Sequence, residues 1–105
     1  MATYCVSFRI SNQTLDGRSY SERRAELIKA VRQEDMGYWE ETTSFILVES
    51  ELSTNEFAEM ASKLLSKEHD MLFVFDPEDM SACYFGAVEH AEVLKSFFPR
   101  LKKVP

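Results

Sequence analysis

The chain has 105 residues, a net charge of −6 and 45% hydrophobic residues, among them eight Phe, four Tyr and one Trp. That size and composition suit one domain with a full core and exclude a second domain, internal repeats and extended disorder. No apolar run approaches the roughly 18 residues of a membrane span, and no basic stretch followed by an apolar one opens the chain. Cys5 and Cys83 stand alone, without zinc-site or disulfide spacing. A cytoplasmic protein with reduced, buried thiols and no cofactor is expected.

The charge is uneven. Residues 1–33 carry six Arg or Lys against three acids, residues 34–94 two against fifteen, and residues 95–105 four against none. The acidic middle disfavours polyanions overall, while the basic ends allow a local positive patch if they meet.

From Thr3 to Ile10 the chain alternates strictly, with Tyr4, Val6, Phe8 and Ile10 on one side and Cys5, Ser7 and Arg9 on the other. This is a half-buried strand, expected at the centre of a sheet. A polar loop containing Asp16-Gly17 follows, and then Ser19 and Glu22 form a capping box. The helix it opens is expected over 20–33, with Tyr20, the stem of Arg24, Leu27, Ile28 and Val31 on its inner face. Residues 38–49 are rich in aromatic and β-branched types and form either one bent strand or two short ones, since no Gly or Pro marks a turn. Leu52 to Phe57 combine a second capping box, Ser53 with Glu56, and a hydrophobic staple. A helix is predicted over 54–66, with Phe57, Met60, Ala61, Leu64 and Leu65 facing inward.

Met71 to Phe75 is a short run that is apolar on both faces and ends at Asp76-Pro77, which reads as a buried strand. A further strand is expected over 80–85, broken by Gly86, and a last helix carries Ala87, Ala91, Leu94 and Phe98 before Pro99 stops it. Residues 99–105 form a basic tail expected to fray. The order predicts a ferredoxin-like α+β sandwich of the β-α-β-β-α-β type, spanning residues 1–105 with an extra C-terminal strand and helix. Because Phe45–Val48 and Met71–Phe75 are apolar on both faces, either the last helix or a second copy of the chain must cover the outer face of the sheet.

Chemistry-bearing residues are sparse. Asp76 and Asp79, with His69 or Asp70 nearby, are the candidates for a hard cation such as magnesium, or form an ordinary solvated acidic turn. Cys83 and His90 make a thiolate pair only if the fold joins them, and otherwise read as a buried thiol and a surface imidazole. Arg9, Arg18, Arg23 and Arg24 are candidate phosphate donors or surface arginines. Trp39 reads as an interface anchor or as partly buried core. Phosphate-binding loops, paired cysteines and a nucleophile elbow are all missing from the sequence, which leaves nucleotide hydrolysis and esterase chemistry without support.

The segments "YCVSFRI", "YWEETTSFILVESELS" and "DMLFVFD" together resemble the SinR-like proteins, in the superfamily of the small CRISPR-associated integration subunit and the VapD toxin ribonucleases. The resemblance covers roughly residues 3–76. It implies a ferredoxin-like homodimer, and in that superfamily an Asp near the end of the first strand is associated with metal-dependent nuclease activity. The matching position here is Arg9, which cannot ligate magnesium and adds a positive charge where the ion would sit. Fold and dimerisation carry over, and no catalytic residue does. The expected role is a non-enzymatic homodimeric interaction module, in a defence or mobile-element setting. The alternatives are a divergent metal-dependent ribonuclease using Asp76 and Asp79, and a nucleic-acid binder without cleavage.

Overall fold

The computed structural model describes residues 1–105 as one six-stranded mixed sheet with three helices. The strands are β1 (Ala2–Arg9), β2 (Tyr38–Trp39), β3 (Phe45–Ser50), β4 (Met71–Phe75), β5 (Ala82–Gly86) and β6 (Leu101–Lys103); the helices are α1 (Tyr20–Val31), α2 (Thr54–Ser62) and α3 (Ala91–Phe97). The sheet order is β2-β3-β1-β4-β5-β6, antiparallel throughout except for the β5–β6 pair. No helix is long and apolar enough to cross a membrane.

The alternation of β1 places Tyr4, Val6 and Phe8 beneath the helices. Their cross-strand partners Ile46 and Val48 on β3 and Leu72 and Val74 on β4 continue that face, and α1 and α2 close it with Leu27, Ile28, Val31, Phe57, Ala58 and Ala61. Phe57 stacks on the Tyr4 ring with centroids 4.6 Å apart. The Tyr4 hydroxyl reaches through this layer to donate to the Leu52 carbonyl at 2.6 Å. Full burial of such side chains contributes roughly 1.5–3 kcal/mol each.

Both capping boxes form. Ser19 and Ser53 each accept from the amide of the Glu three residues on, at 3.2 Å, and each Glu carboxylate accepts the serine amide at 3.0 Å. These bonds hold the Glu22 and Glu56 carboxyls below their ordinary range, the backbone amide being the larger cause and the hydroxyl the second. The helices end earlier than their periodicity suggests. After Ser62 the chain tightens, with Leu65 bonding back to the Ser62 carbonyl three residues earlier. Leu65 still turns inward, but Leu64, expected on the buried face, emerges half-exposed.

The 38–49 segment is two strands joined by a turn. Thr42 Oγ1 donates to the Phe45 carbonyl at 2.9 Å, and the Arg24 guanidinium donates to the Thr42 and Thr43 carbonyls at 3.2 and 3.1 Å. The turn is thus held by a side chain from α1, which is why no Gly or Pro is needed locally.

Two expectations at the C-terminus are corrected. The tail is ordered, because Leu101 to Lys103 pair with Ala82 to Tyr84 and bury Leu101 and Val104. The last helix begins at Ala91, not near Ala87. Gly86 ends β5 at φ +89°, a Cβ there would collide with the Asp70 carbonyl, and Ala87 donates to that same carbonyl at 2.8 Å, so the chain is tied to β4 before it turns.

Candidate functional site

The outer face of the sheet is the feature that a two-layer fold does not require. Register places Trp39, Leu47, Cys5, Phe75 and Ala82 in one row across five strands, and Phe45, Ser7, Phe73 and Tyr84 in the next. Directly opposed residues project from the same face, so both rows lie on the side away from α1 and α2. Cys5, Ala82 and Leu101 are buried there outside the helix-covered core cluster. Burial raises the Cys5 thiol above its ordinary range, with the Asp76 charge a smaller contributor, so the thiol stays protonated and inert.

Cover on this face is partial. The segment after β5 swings over it, and Phe98 wedges against Phe73 and Phe75, each at 5.0 Å between centroids. Phe45, Leu47, Phe73 and Phe75 remain half-buried, and Trp39 is 40% exposed on the short edge strand β2. Its neighbour Tyr38 is capped by Arg32, whose guanidinium carbon lies 3.6 Å from the ring centroid. Helix α3 itself buries none of its residues and has no side-chain N-cap. Val93 and Phe97 on it are 52% and 70% exposed.

The arginines considered as phosphate donors are dispersed into other tasks. Arg23 is 5% exposed and forms a buried ion pair with the fully buried Asp70. It also donates to the Ser11 carbonyl and hydroxyl at 3.3 and 3.4 Å, while Asp70 accepts from the amides of Ser11 and Ser66 at 2.9 and 2.7 Å. This network binds the end of β1, α1 and the turn before β4, and it leaves Arg23 no exposed face for a phosphate. Arg18 pairs with Glu26 at 2.9 Å. Arg24 holds the β2–β3 turn and lies 5.8 Å above the Phe8 ring. Arg9 has no acidic partner either, and its guanidinium makes a single long hydrogen bond, to the Ala87 carbonyl at 3.5 Å.

The acidic candidates are likewise used by the backbone around them. Asp76 accepts the Glu78 amide at 2.8 Å, and Asp79 accepts the Ser81 amide and hydroxyl at 2.8 and 2.6 Å. Those Ser81 bonds, with Arg100 adding a smaller charge effect, hold the Asp79 carboxyl below its usual range. Asp70 and His69 precede β4 while Asp76 follows it, roughly 20 Å of extended strand away. The fold does not gather three or more His, Cys, Asp or Glu side chains in a geometry that could hold a metal. Cys83 faces the helix-covered core, its thiol donating to Asn55 Oδ1 at 2.9 Å and raised above its ordinary range by burial. His90 lies on the surface, 3.6 Å from Glu92. The two do not form a catalytic pair.

Sequence reasoning missed Phe97 and Val93 as surface features. The available signal was that apolar residues fall on both sides of α3. Compared with known proteins, the chain matches no family model, no curated protein and no solved structure at a significant level.

Proposed function

We propose that the chain is a homodimeric, non-enzymatic interaction module built on a ferredoxin-like unit, with the outer sheet face as its working surface. The observation that carries this reading is that face: two aromatic-rich rows, half covered by the chain's own C-terminal segment and bordered by an exposed Trp39. A contiguous apolar surface of this kind is stabilised by contact with another apolar surface. The ferredoxin-like part of the reading is supported by residues 2–75, in which β1, β2, β3 and β4 lie in the order β2-β3-β1-β4 with antiparallel neighbours and both helices on one side. At β5 and β6 the sheet grows beyond that four-stranded plan. The absence of chemistry in the reading is supported by the engagement of Asp76 and Asp79 in their own turn and by Arg9 at the strand end.

Light scattering after size exclusion, run over a dilution series, is the test. The expected result is a mass of two chains that falls toward one on dilution. A single-chain mass at every concentration overturns the reading. The same sample is then incubated with labelled RNA and DNA, and cleavage that requires magnesium and is lost in Asp76→Ala with Asp79→Ala would establish the ribonuclease alternative in its place.

A further inference from the structure

We infer that the second copy docks at the flank of α3, where an exposed apolar ridge and an apolar groove lie side by side and fit each other across a two-fold axis; this rests on the dimeric reading above. The groove has a volume of about 420 Å³ and runs between α3 and the end of the β1–β4 pair. Met71, Ala87, Val88 and Leu94 supply its apolar lining. The ridge is the pair Val93 and Phe97, one helical turn apart on the outer side of α3, both more than half exposed and both bordering the groove. Phe97 is the most exposed aromatic ring of the chain, at 70%.

A ridge beside a groove is the arrangement that an isologous interface uses. Under two-fold symmetry each Phe97 enters the groove of the other copy, and both contacts form at once. The charges point to the same occupant. Arg9 and Glu89 both line the groove, and neither forms an ion pair within its own chain. Across the axis, Arg9 of each copy meets Glu89 of the other, so the contact is neutral locally although each chain carries −6 overall. A strongly acidic or strongly basic partner would satisfy only one of these two charges.

The experiment is sedimentation or light scattering on the wild type, Phe97→Glu, Arg9→Glu, Glu89→Arg, and an equimolar mixture of the last two, with thermal melting as the folding control. Phe97→Glu is expected to weaken the dimer by more than about tenfold while the monomer melts as before, since the ring is exposed. Arg9→Glu and Glu89→Arg each place two like-charge pairs at the axis and are expected to weaken self-association by about tenfold. Their mixture replaces all four like charges with two opposite-charge pairs, and is expected to dimerise more tightly than either variant alone. A wild-type dimer that persists in Phe97→Glu, or a mixture no tighter than its components, overturns the α3 site while leaving the dimeric reading intact. A wild type that is monomeric throughout overturns the dimeric reading itself.

Discussion

The two faces of the sheet are made from similar residues and have opposite fates. Beneath α1 and α2, Tyr4, Val6, Phe8, Ile46, Val48, Leu72 and Val74 are buried almost completely. On the other side, Phe45, Leu47, Phe73 and Phe75 are aromatic or aliphatic and only half covered. Apolar patterning records which surfaces are costly in water, and it does not record what covers them. The closed face is finished by helices with capping boxes, whereas the open face has α3, a short helix with no side-chain cap and no buried residue.

The largest test of this difference is truncation on the two sides. Phe57→Ala removes a fully buried ring stacked on Tyr4, and chemical denaturation is expected to show a loss of about 3–5 kcal/mol, transfer and cavity terms together. Phe73→Ala, on the open face against Phe75 and Phe98, is expected to cost about 1–2 kcal/mol in the monomer, because water already reaches part of the ring. Equal losses would mean that the outer face is as closed as the inner one.

A second test concerns the polar weld at the edge of the closed face. Asp70→Asn leaves Arg23 charged and buried without its counter-ion, which typically costs about 3–5 kcal/mol. Replacing both partners, Arg23→Met with Asp70→Leu, removes the stranded charge, yet it orphans the amides of Ser11 and Ser66 that Asp70 accepts from. Partial recovery is therefore expected, short of the wild type by roughly 1–3 kcal/mol per unsatisfied amide. Full recovery in urea or guanidinium unfolding would show that Asp70 serves the ion pair alone.

The parts of the fold that were legible share one property: the interactions that make them lie within a few residues. Both capping boxes, the alternation of β1 and the five apolar residues of β4 were visible because Ser19 meets Glu22 and Ser53 meets Glu56 in the same turn of helix. What was not legible depends on distant partners. The β2–β3 turn is held by Arg24 from 18 and 19 positions away, the tail is ordered by pairing with β5, and Arg23 finds Asp70 across 47 residues. Helical periodicity put the stem of Arg24 on the inner face of α1, whereas it is Arg23 that is buried and Arg24 that is half-buried; only the three-dimensional neighbours separate a buried counter-ion from a turn clamp. The outer face was half legible, since the double-sided apolar strands announced a covered surface without identifying the cover.

The smallest effect falls on the caps that hold the closed face. Ser53→Ala removes the hydroxyl that accepts the Glu56 amide and is expected to destabilise by about 1 kcal/mol near neutral pH. Its signature is in the pH dependence. The Glu56 carboxyl titrates below its ordinary 4.5 in the folded chain, first because the Ser53 amide bonds it and second because the hydroxyl does. A lowered folded value means that the unfolded chain binds the proton first on acidification, so the stabilisation is complete above the ordinary value and is lost as the pH falls through the folded one. In Ser53→Ala the amide remains and the hydroxyl is gone, so the stability lost between neutral pH and acid shrinks without vanishing. Ser19→Ala at the matching box on α1 is expected to behave in the same way through Glu22. Equilibrium unfolding from pH 7 down to pH 3 measures both, and a variant whose acid sensitivity equals that of the wild type would show that the hydroxyl contributes nothing to the carboxylate, leaving the amide bond as its whole support.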